Sequence, residues 1–304
     1  MLDGVLLLDK PAGYTSTQAL ARARRILGGP KGAPKGGHTG TLDPFATGLL
    51  PLVFGEATKF ARFLSDSHKA YEATLRLGFV SSTGDPEGDV AAGTPYAGDE
   101  RAVDAVLASF LGAREQLPPM HSAVHVQGRR LYEYARAGKE VERAARAIEI
   151  AELRRFAFDG NELRVAVNCS KGTYVRVLAA DIGRALGCGA YLVALRRTGV
   201  AGFSVDQAVT LEAFEADPLP HERLMAPEVL VSALPRLCAS AEDAWRFGQG
   251  QSIAGAADAP LGVEMGVFAP GGRFLGVGAA GEGGQVVPVR LMSAAQGPRM
   301  PDPA

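Results

Sequence analysis

The chain is poor in most of the features that would assign it at a glance. Of its 304 residues only three are cysteine, Cys169, Cys188 and Cys238, an odd number at wide spacing with no C-x-x-C pair. That excludes a disulfide-stapled scaffold and a cysteine-rich zinc ribbon, and it fits buried thiols in a reducing compartment. No apolar run approaches the roughly 18 residues needed to cross a bilayer. An acid, Asp3, stands where a secretory leader carries bases, and the apolar stretch from Val5 to Leu8 is too short to serve as one. These absences predict a cytoplasmic protein with no membrane partner. A formal net charge of −1 also lacks the basic excess that announces nucleic-acid binding, although the distribution of charge decides more than the sum.

The most telling lack is local. From residue 11 to residue 42 there is no Asp or Glu, while the same stretch carries Arg22, Arg24, Arg25, Lys31 and Lys35. The first acid to follow is Asp43, inside the glycine- and threonine-rich run Gly36-Gly37-His38-Thr39-Gly40-Thr41-Leu42-Asp43-Pro44-Phe45-Ala46-Thr47-Gly48. A second basic segment, residues 164–197, holds Arg164, Lys171, Arg176, Arg184, Arg196 and Arg197 against one acid, Asp181. Two such segments far apart in sequence predict a basic surface for a polyanion, with one reactive carboxylate beneath it.

What is present reads as an α+β chain. Gly4 to Asp9 predicts a buried strand, and Ser16 or Thr17 predicts the cap of a helix to Leu27, stopped by Gly28-Gly29-Pro30. Tyr71, Ala73, Leu75, Leu77 and Phe79 alternate as one face of a strand, as do Leu163, Val165, Val167 and Cys169. Helices are predicted over Arg101–Leu111 and Thr173–Leu186, and a strand over Tyr191–Val200. The texture changes near residues 215–235, where prolines gather. Beyond them a short helix near Ala241 to Phe247 and three glycine-rich strands, the first two joined by Pro270-Gly271-Gly272, predict a small separate β module. Gly297 to Ala304 is predicted to be a frayed tail.

Several chemistries are excluded by spacing. Gly32 and Gly37 have the separation of a phosphate-binding loop, but His38 stands where that loop needs lysine. His121 and His125 are four apart, yet no H-E-x-x-H surrounds them, and Pro118-Pro119 argues for extended chain. Asp43 before Pro44 is by itself an ordinary turn starter. Its company changes that reading: Lys10-Pro11-x-Gly13-x-Thr15-Ser16 before it, Tyr71 on a strand, and Lys171-Gly172-Thr173-Tyr174-Val175-Arg176 opening a helix.

The segments LLLDKPAGYTS (6–16), GGHTGTLDPFATGLLP (36–51), GEATKF (55–60), LYEYARAG (131–138) and SKGTYVRVLAADIG (170–183) together resemble the bacterial tRNA pseudouridine-55 synthases of the TruB family. The resemblance runs in order over about residues 4–205. It implies a pseudouridine-synthase fold, a mixed, largely antiparallel sheet flanked by helices. A catalytic domain over residues 1–232 would precede a PUA-like RNA-binding module over 233–304. It implies isomerisation of uridine 55 in the T-loop of tRNA by a chain with no cofactor and no metal, with tRNA as partner and a monomeric state. By position, Asp43 matches the catalytic aspartate, His38 the histidine that fills the space left by the flipped base, and Tyr71 the tyrosine that stacks on that base. Tyr174 and Leu195 match uridine-pocket positions, and Arg176 the arginine paired with the aspartate. Lys59, Arg22, Arg25, Lys35, Lys171 and Arg196 are candidate RNA contacts. One departure stands out: His121 and His125 occupy positions where the family usually carries Tyr and Lys.

The residues suit that chemistry. A stacked uridine must be extruded at a cost of a few kcal/mol, of which an aromatic platform returns about 1–3 kcal/mol. An ionised carboxylate serves either as nucleophile or as stabiliser of an oxocarbenium-like sugar. A bidentate Arg176 would hold Asp43 charged. No second acid lies in these motifs, which favours rearrangement over hydrolysis. Tyr71 is a candidate acceptor for the C5 proton, weak unless its pKa is shifted. The rival reading is a non-catalytic RNA-binding or tRNA-folding protein. It accounts for the basic segments but not for Asp43, Tyr71, Tyr174 and Arg176 together.

Overall fold

A computed structural model describes residues 2–293; the tail expected at Gly297 to Ala304 lies outside them. The main body is a ten-stranded mixed sheet with helices packed on it. Its principal strands are β1 (Gly4–Lys10), β2 (Thr47–Phe54), β3 (Lys69–Leu77), β4 (Gly112–Gln116), β5 (Arg146–Phe158), β6 (Glu162–Cys169), β7 (Ala190–Val200) and β8 (Val209–Thr210). They lie in the order β8-β1-β2-β7-β3-β6-β5-β4. The β8–β1 and β2–β7 pairs are parallel and the other neighbours antiparallel.

Strand β1 is apolar on both faces because both are covered. Leu6 and Leu8 join the core that also holds Ala19 and Ala23 of helix α1 (Ser16–Gly32), whereas Val5 and Leu7 join a second core on the opposite face. The cap of α1 is Thr15, whose side chain accepts from the Gln18 N–H while the Gln18 side chain returns to the Thr15 N–H. The helix also runs past its expected stop. It ends at Ala33, because Pro34 forces the residue before it out of the helical region. Strand β3 ends at Leu77, since Gly78 takes a left-handed φ of 77°. Phe79 therefore belongs to a separate hairpin with Val90–Ala92 and does not extend the β3 face.

Helix α2 (Glu100–Ser109) packs beside β5, and helix α3 (Val175–Ala185) buries Val175, Leu178, Ala179 and Ile182 in the main core. At the centre of the sheet, β3 lies between β6 and β7, so Tyr71 has Val167 on one side and Arg197 on the other.

The C-terminal strands form a five-stranded sheet over residues 236–291, with helix α4 (Ala241–Gly248) against it. It is not separate in its packing. Phe268, Phe274 and Val277 share one buried cluster with Val53, Phe60 and Val200 of the main body. The Phe60 and Phe274 rings meet edge to face at 5.1 Å, an arrangement that adds about 0.5–1.5 kcal/mol to the apolar burial.

Candidate active site

The loop that carries Asp43 is held from below by residues 10–16, the segment Lys10-Pro11-x-Gly13-x-Thr15-Ser16. The Lys10 ammonium, with no exposed surface, donates to the carbonyls of Pro11 at 2.9 Å, Tyr14 at 2.7 Å and Pro44 at 3.3 Å. The Gly13 N–H donates to the Pro44 carbonyl at 2.8 Å. The buried Ser16 hydroxyl accepts from the Leu42 N–H at 2.8 Å and donates to the Leu42 carbonyl at 3.1 Å. Ser16 thus clamps the residue before Asp43 rather than capping α1, and Lys10 clamps the residue after it. The residues on both sides of Asp43 are thereby held by hydrogen bonds from buried side chains.

Arg176, at the start of α3, organises the rest. Its Nε lies 2.9 Å from Asp43 Oδ2 and its Nη2 3.3 Å from Asp43 Oδ1, the bidentate pair expected from the sequence. Its Nη1 lies 3.2 Å from Asp85 Oδ2 and donates to the Thr83 carbonyl at 3.1 Å, and its Nη2 donates to the His121 carbonyl at 2.9 Å. Asp85 is buried and receives the Thr83 hydroxyl at 2.5 Å and the Glu87 N–H at 3.0 Å. A second carboxylate therefore stands behind the arginine. It comes from a loop outside the motifs and is spent on Arg176 and Thr83.

The charge balance follows from this packing. Burial pushes the Asp43 carboxyl above its ordinary range and Asp85 adds to the push, while Arg176 and Lys10 pull the other way. The restoring effect of Arg176 is present, but burial outweighs it. The Asp43 side chain nevertheless keeps 32% of its surface exposed, so most of it is covered by protein and about a third faces solvent. Glu87, on the exposed rim, is raised by burial and by the Asp85 and Asp43 charges. Burial lowers Lys10 to about 8, with Arg197 adding to that and Asp43 opposing it.

Tyr71 rises from the centre of β3, with Arg197 opposite it on β7. Its phenol is raised by burial, and a hydrogen bond and the charge of Arg197 work against that rise. This makes Tyr71 a poorer proton acceptor in the free protein than an exposed tyrosine, and a sound apolar platform. Arg197 itself is 1% exposed, donating to the carbonyls of Leu49 at 2.6 Å and Gly40 at 3.1 Å. Gly48 admits this strand crossing, since a Cβ there would sit 2.2 Å from the Arg197 carbonyl. Leu195 is buried two residues before, opposite Ala73. His38 pairs with Leu52 in a short strand, Gly36–His38, its Nδ1 buried without a hydrogen-bond partner and its pKa lowered by burial and by Arg197. Tyr174 is the half-buried N-cap residue of α3. Asp43, Arg176, Tyr71, Leu195, His38 and Tyr174 thus come from the Asp43 loop with its flanking strand, the two central strands and one helix start.

The description "TruB family pseudouridylate synthase (N terminal domain)" matches residues 24–175, "tRNA pseudouridylate synthase B C-terminal domain" residues 176–233, and "Pseudouridine synthase II TruB, C-terminal" residues 235–292. A relative from Aromatoleum aromaticum named tRNA pseudouridine synthase B is 52% identical, over 96% of this chain and 94% of its own. The chain belongs to the TruB family of pseudouridylate synthases. A relative of the same name from Azoarcus sp. is 49% identical over 98% and 97% of the two chains. A solved chain described as "Crystal Structure of a Cbf5-Nop10-Gar1 Complex" superposes with a TM-score of 0.75, covering 98% of this chain and 87% of that one. At 24% identity it speaks for the fold alone.

On this TruB-family scaffold the six basic candidates fall outside the Asp43 cluster. Lys59 pairs with Glu56 at 2.6 Å and donates to the Leu291 carbonyl at 3.1 Å, tying the C-terminal sheet to the body. Arg22 pairs with Glu215, Lys171 with Asp66 at 2.9 Å, and Arg196 with both oxygens of Asp9 at 3.1 and 2.7 Å. Arg25 and Lys35 are exposed. The unusual His121 and His125 are exposed too; the chain bends at residues 120–123 instead of running extended as expected, and His125 pairs with Arg130 in a two-residue strand. His121 meets the site through its carbonyl, a contact its side-chain identity does not govern. Lys10, Asp85 and Arg197 were not singled out by sequence as site residues, although Lys10 and Arg197 sit inside or beside its motifs.

Proposed function

We propose that this chain isomerises uridine 55 in the T-loop of tRNA to pseudouridine, replacing the N1–C1′ bond by a C5–C1′ bond. It acts as a cytoplasmic monomer without metal or cofactor, its residues 1–232 catalytic and 233–304 RNA-binding. The target base is turned out of the loop, His38 takes its place in the stack, and the base lies on Tyr71 between Tyr174 and Leu195. Asp43, partly open to solvent and held by Arg176, faces the sugar and carries the break and remake of the glycosidic bond. The enclosed pocket keeps the detached uracil from escaping while it turns over.

The observation that carries this reading is the pairing of half-buried Asp43 with buried Arg176, near enough to Tyr71 for the Asp43 charge to act on its phenol, in a chain about half identical to relatives named tRNA pseudouridine synthase B. A purely RNA-binding chain has no use for an enclosed carboxylate whose charged form burial disfavours. The test is incubation of the purified protein alone with a T-loop minihelix, followed by mapping of pseudouridine. The reading predicts conversion at the position of uridine 55 and nowhere else. Conversion elsewhere, or none without a further RNA or protein, would overturn it.

A further inference from the structure

The helix that presents Arg176 begins without a side-chain cap. Its N-cap residue is Tyr174, which has no capping hydrogen bond of its own, and such a start leaves backbone donors in want of partners. The first of these donors, the Tyr174 N–H, is met from the far edge of the sheet. Gln116, the last residue of β4, accepts from the Tyr174 N–H through Oε1 at 2.7 Å and donates through Nε2 to the Tyr174 carbonyl at 3.1 Å. One side-chain amide thus grips both polar groups of one residue, as a neighbouring strand would. Gln116 is 5% exposed, so water has little access to its amide; the Tyr174 carbonyl also accepts from the Leu178 N–H at 3.1 Å, whereas the Tyr174 N–H has Gln116 as its acceptor.

The grip lies where it bears on two pocket groups. Tyr174 contributes its own ring, and two residues on stands Arg176, whose fork holds Asp43. Gln116 is also the root of the excursion over residues 117–143, which leaves the sheet there. Arg143 fastens the foot of that excursion by donating to the Pro118 carbonyl at 2.8 Å, and Arg176 fastens its outgoing limb through the His121 carbonyl at 2.9 Å. The start of α3 is therefore tied to this excursion at two points, the Gln116 amide and the Arg176 guanidinium.

We infer that Gln116 is a positioning residue for isomerisation: its amide sets the Tyr174 peptide, and through it the Tyr174 ring and the Arg176–Asp43 pair. This rests on the proposed isomerase reading. Gln116 itself touches no reacting atom, so its loss should appear in the chemical step rather than in tRNA binding.

The experiment compares the full-length wild type with Gln116→Leu and Gln116→Glu, under single turnover at saturating enzyme, with tRNA affinity and urea stability measured in parallel. Leucine fills the space and makes neither bond. Misplacement of about an ångström costs on the order of a hundredfold in rate. We expect Gln116→Leu to be roughly ten- to a hundredfold slower per folded molecule, with tRNA affinity changed less than about threefold. A glutamate reproduces both bonds only when its carboxyl is protonated, because the Tyr174 carbonyl needs a donor. The Gln116→Glu rate, taken as a ratio to wild type at each pH, should therefore rise as pH falls from about 8 to about 6. A leucine variant with wild-type rate, or one whose loss follows only its unfolded fraction, would overturn the inference while leaving the isomerase reading intact. A wild-type chain that fails to isomerise the RNA would overturn both.

Discussion

Replacing Arg176 by lysine keeps the charge and removes the fork. Arg176 reaches five acceptors from three nitrogens: Asp43 Oδ2 at 2.9 Å, Asp43 Oδ1 at 3.3 Å, Asp85 Oδ2 at 3.2 Å, the Thr83 carbonyl at 3.1 Å and the His121 carbonyl at 2.9 Å. A lysine offers one nitrogen with three protons, so at least two of these contacts are lost. Hydrogen bonds to charged groups contribute about 1.5–3 kcal/mol each, giving a gross loss of roughly 3–6 kcal/mol. Asp43 is 32% exposed and rehydrates in part, whereas Asp85 at 4% does not. The net fall in stability to urea should be about 2–3 kcal/mol. The rate should fall further than stability suggests, because Asp43 loses its second anchor and turns freely. On the order of a hundredfold is expected, equivalent to about 2.7 kcal/mol of barrier. Release of tritium from C5-labelled uridine in tRNA, at saturating enzyme, reads the step directly, and filter binding checks that tRNA is held. A folded Arg176→Lys protein within about threefold of the wild-type rate, under about 0.7 kcal/mol, would refute the claim that the fork orients Asp43.

Asp85→Asn keeps an acceptor for Arg176 and removes a negative charge that helps to raise Asp43. Asp43 then stays ionised to lower pH, so the acid limb of the rate profile should move down and the plateau fall about tenfold; a limb that stays put or moves up would contradict this. Phe274→Ala deletes a ring that packs on Phe60 at 5.1 Å and Phe268 at 5.3 Å, where body and C-terminal sheet share their core. It should cost about 3–5 kcal/mol in urea unfolding, and a loss below about 1 kcal/mol would show that the shared cluster does not bind the two together. Lys10 has its folded-state pKa lowered to about 8 from 10.5, so the folded chain sheds this proton before the unfolded chain does. Stability should therefore rise across that interval, and Lys10→Met should flatten the slope; an unchanged slope would remove Lys10 as its source.

The motifs around Asp43, Tyr71 and the Tyr174–Arg176 helix start were legible because each is local: a turn, an alternating strand and a helix start. What escaped was the part that depends on which way a residue faces. Arg196 and Arg197 are adjacent and alike in sequence, but successive strand residues point to opposite faces. Arg196 therefore pairs with Asp9, while Arg197 turns into the Asp43 loop. The strand period does choose between them once Leu195 is placed in the pocket, since Arg197, two residues on, shares its face. Asp85 escaped for another reason. It lies in a loop after the Phe79–Ser81 strand and meets Arg176, 91 positions on in the chain, only through the fold. Ser16 was legible as a helix-start residue but not as the clamp on Leu42, since Thr15 had already taken the cap. The C-terminal sheet was legible as a module from its glycine-rich strands. Its shared core with the body was not, because Phe60, Phe268 and Phe274 read equally well as ordinary core residues of separate units.

On the proposed function, Asp43 carries the chemistry and does little for the fold. Burial raises its pKa, so this residue contributes stability that is fully present below the unfolded carboxyl range and is lost as pH rises through the raised folded value. Asp43→Asn should therefore be folded and no less stable than wild type near neutral pH. It should bind tRNA with affinity within about threefold of wild type and release no tritium from C5-labelled uridine above background. Tritium release from that folded variant at an appreciable fraction of the wild-type rate would contradict the account.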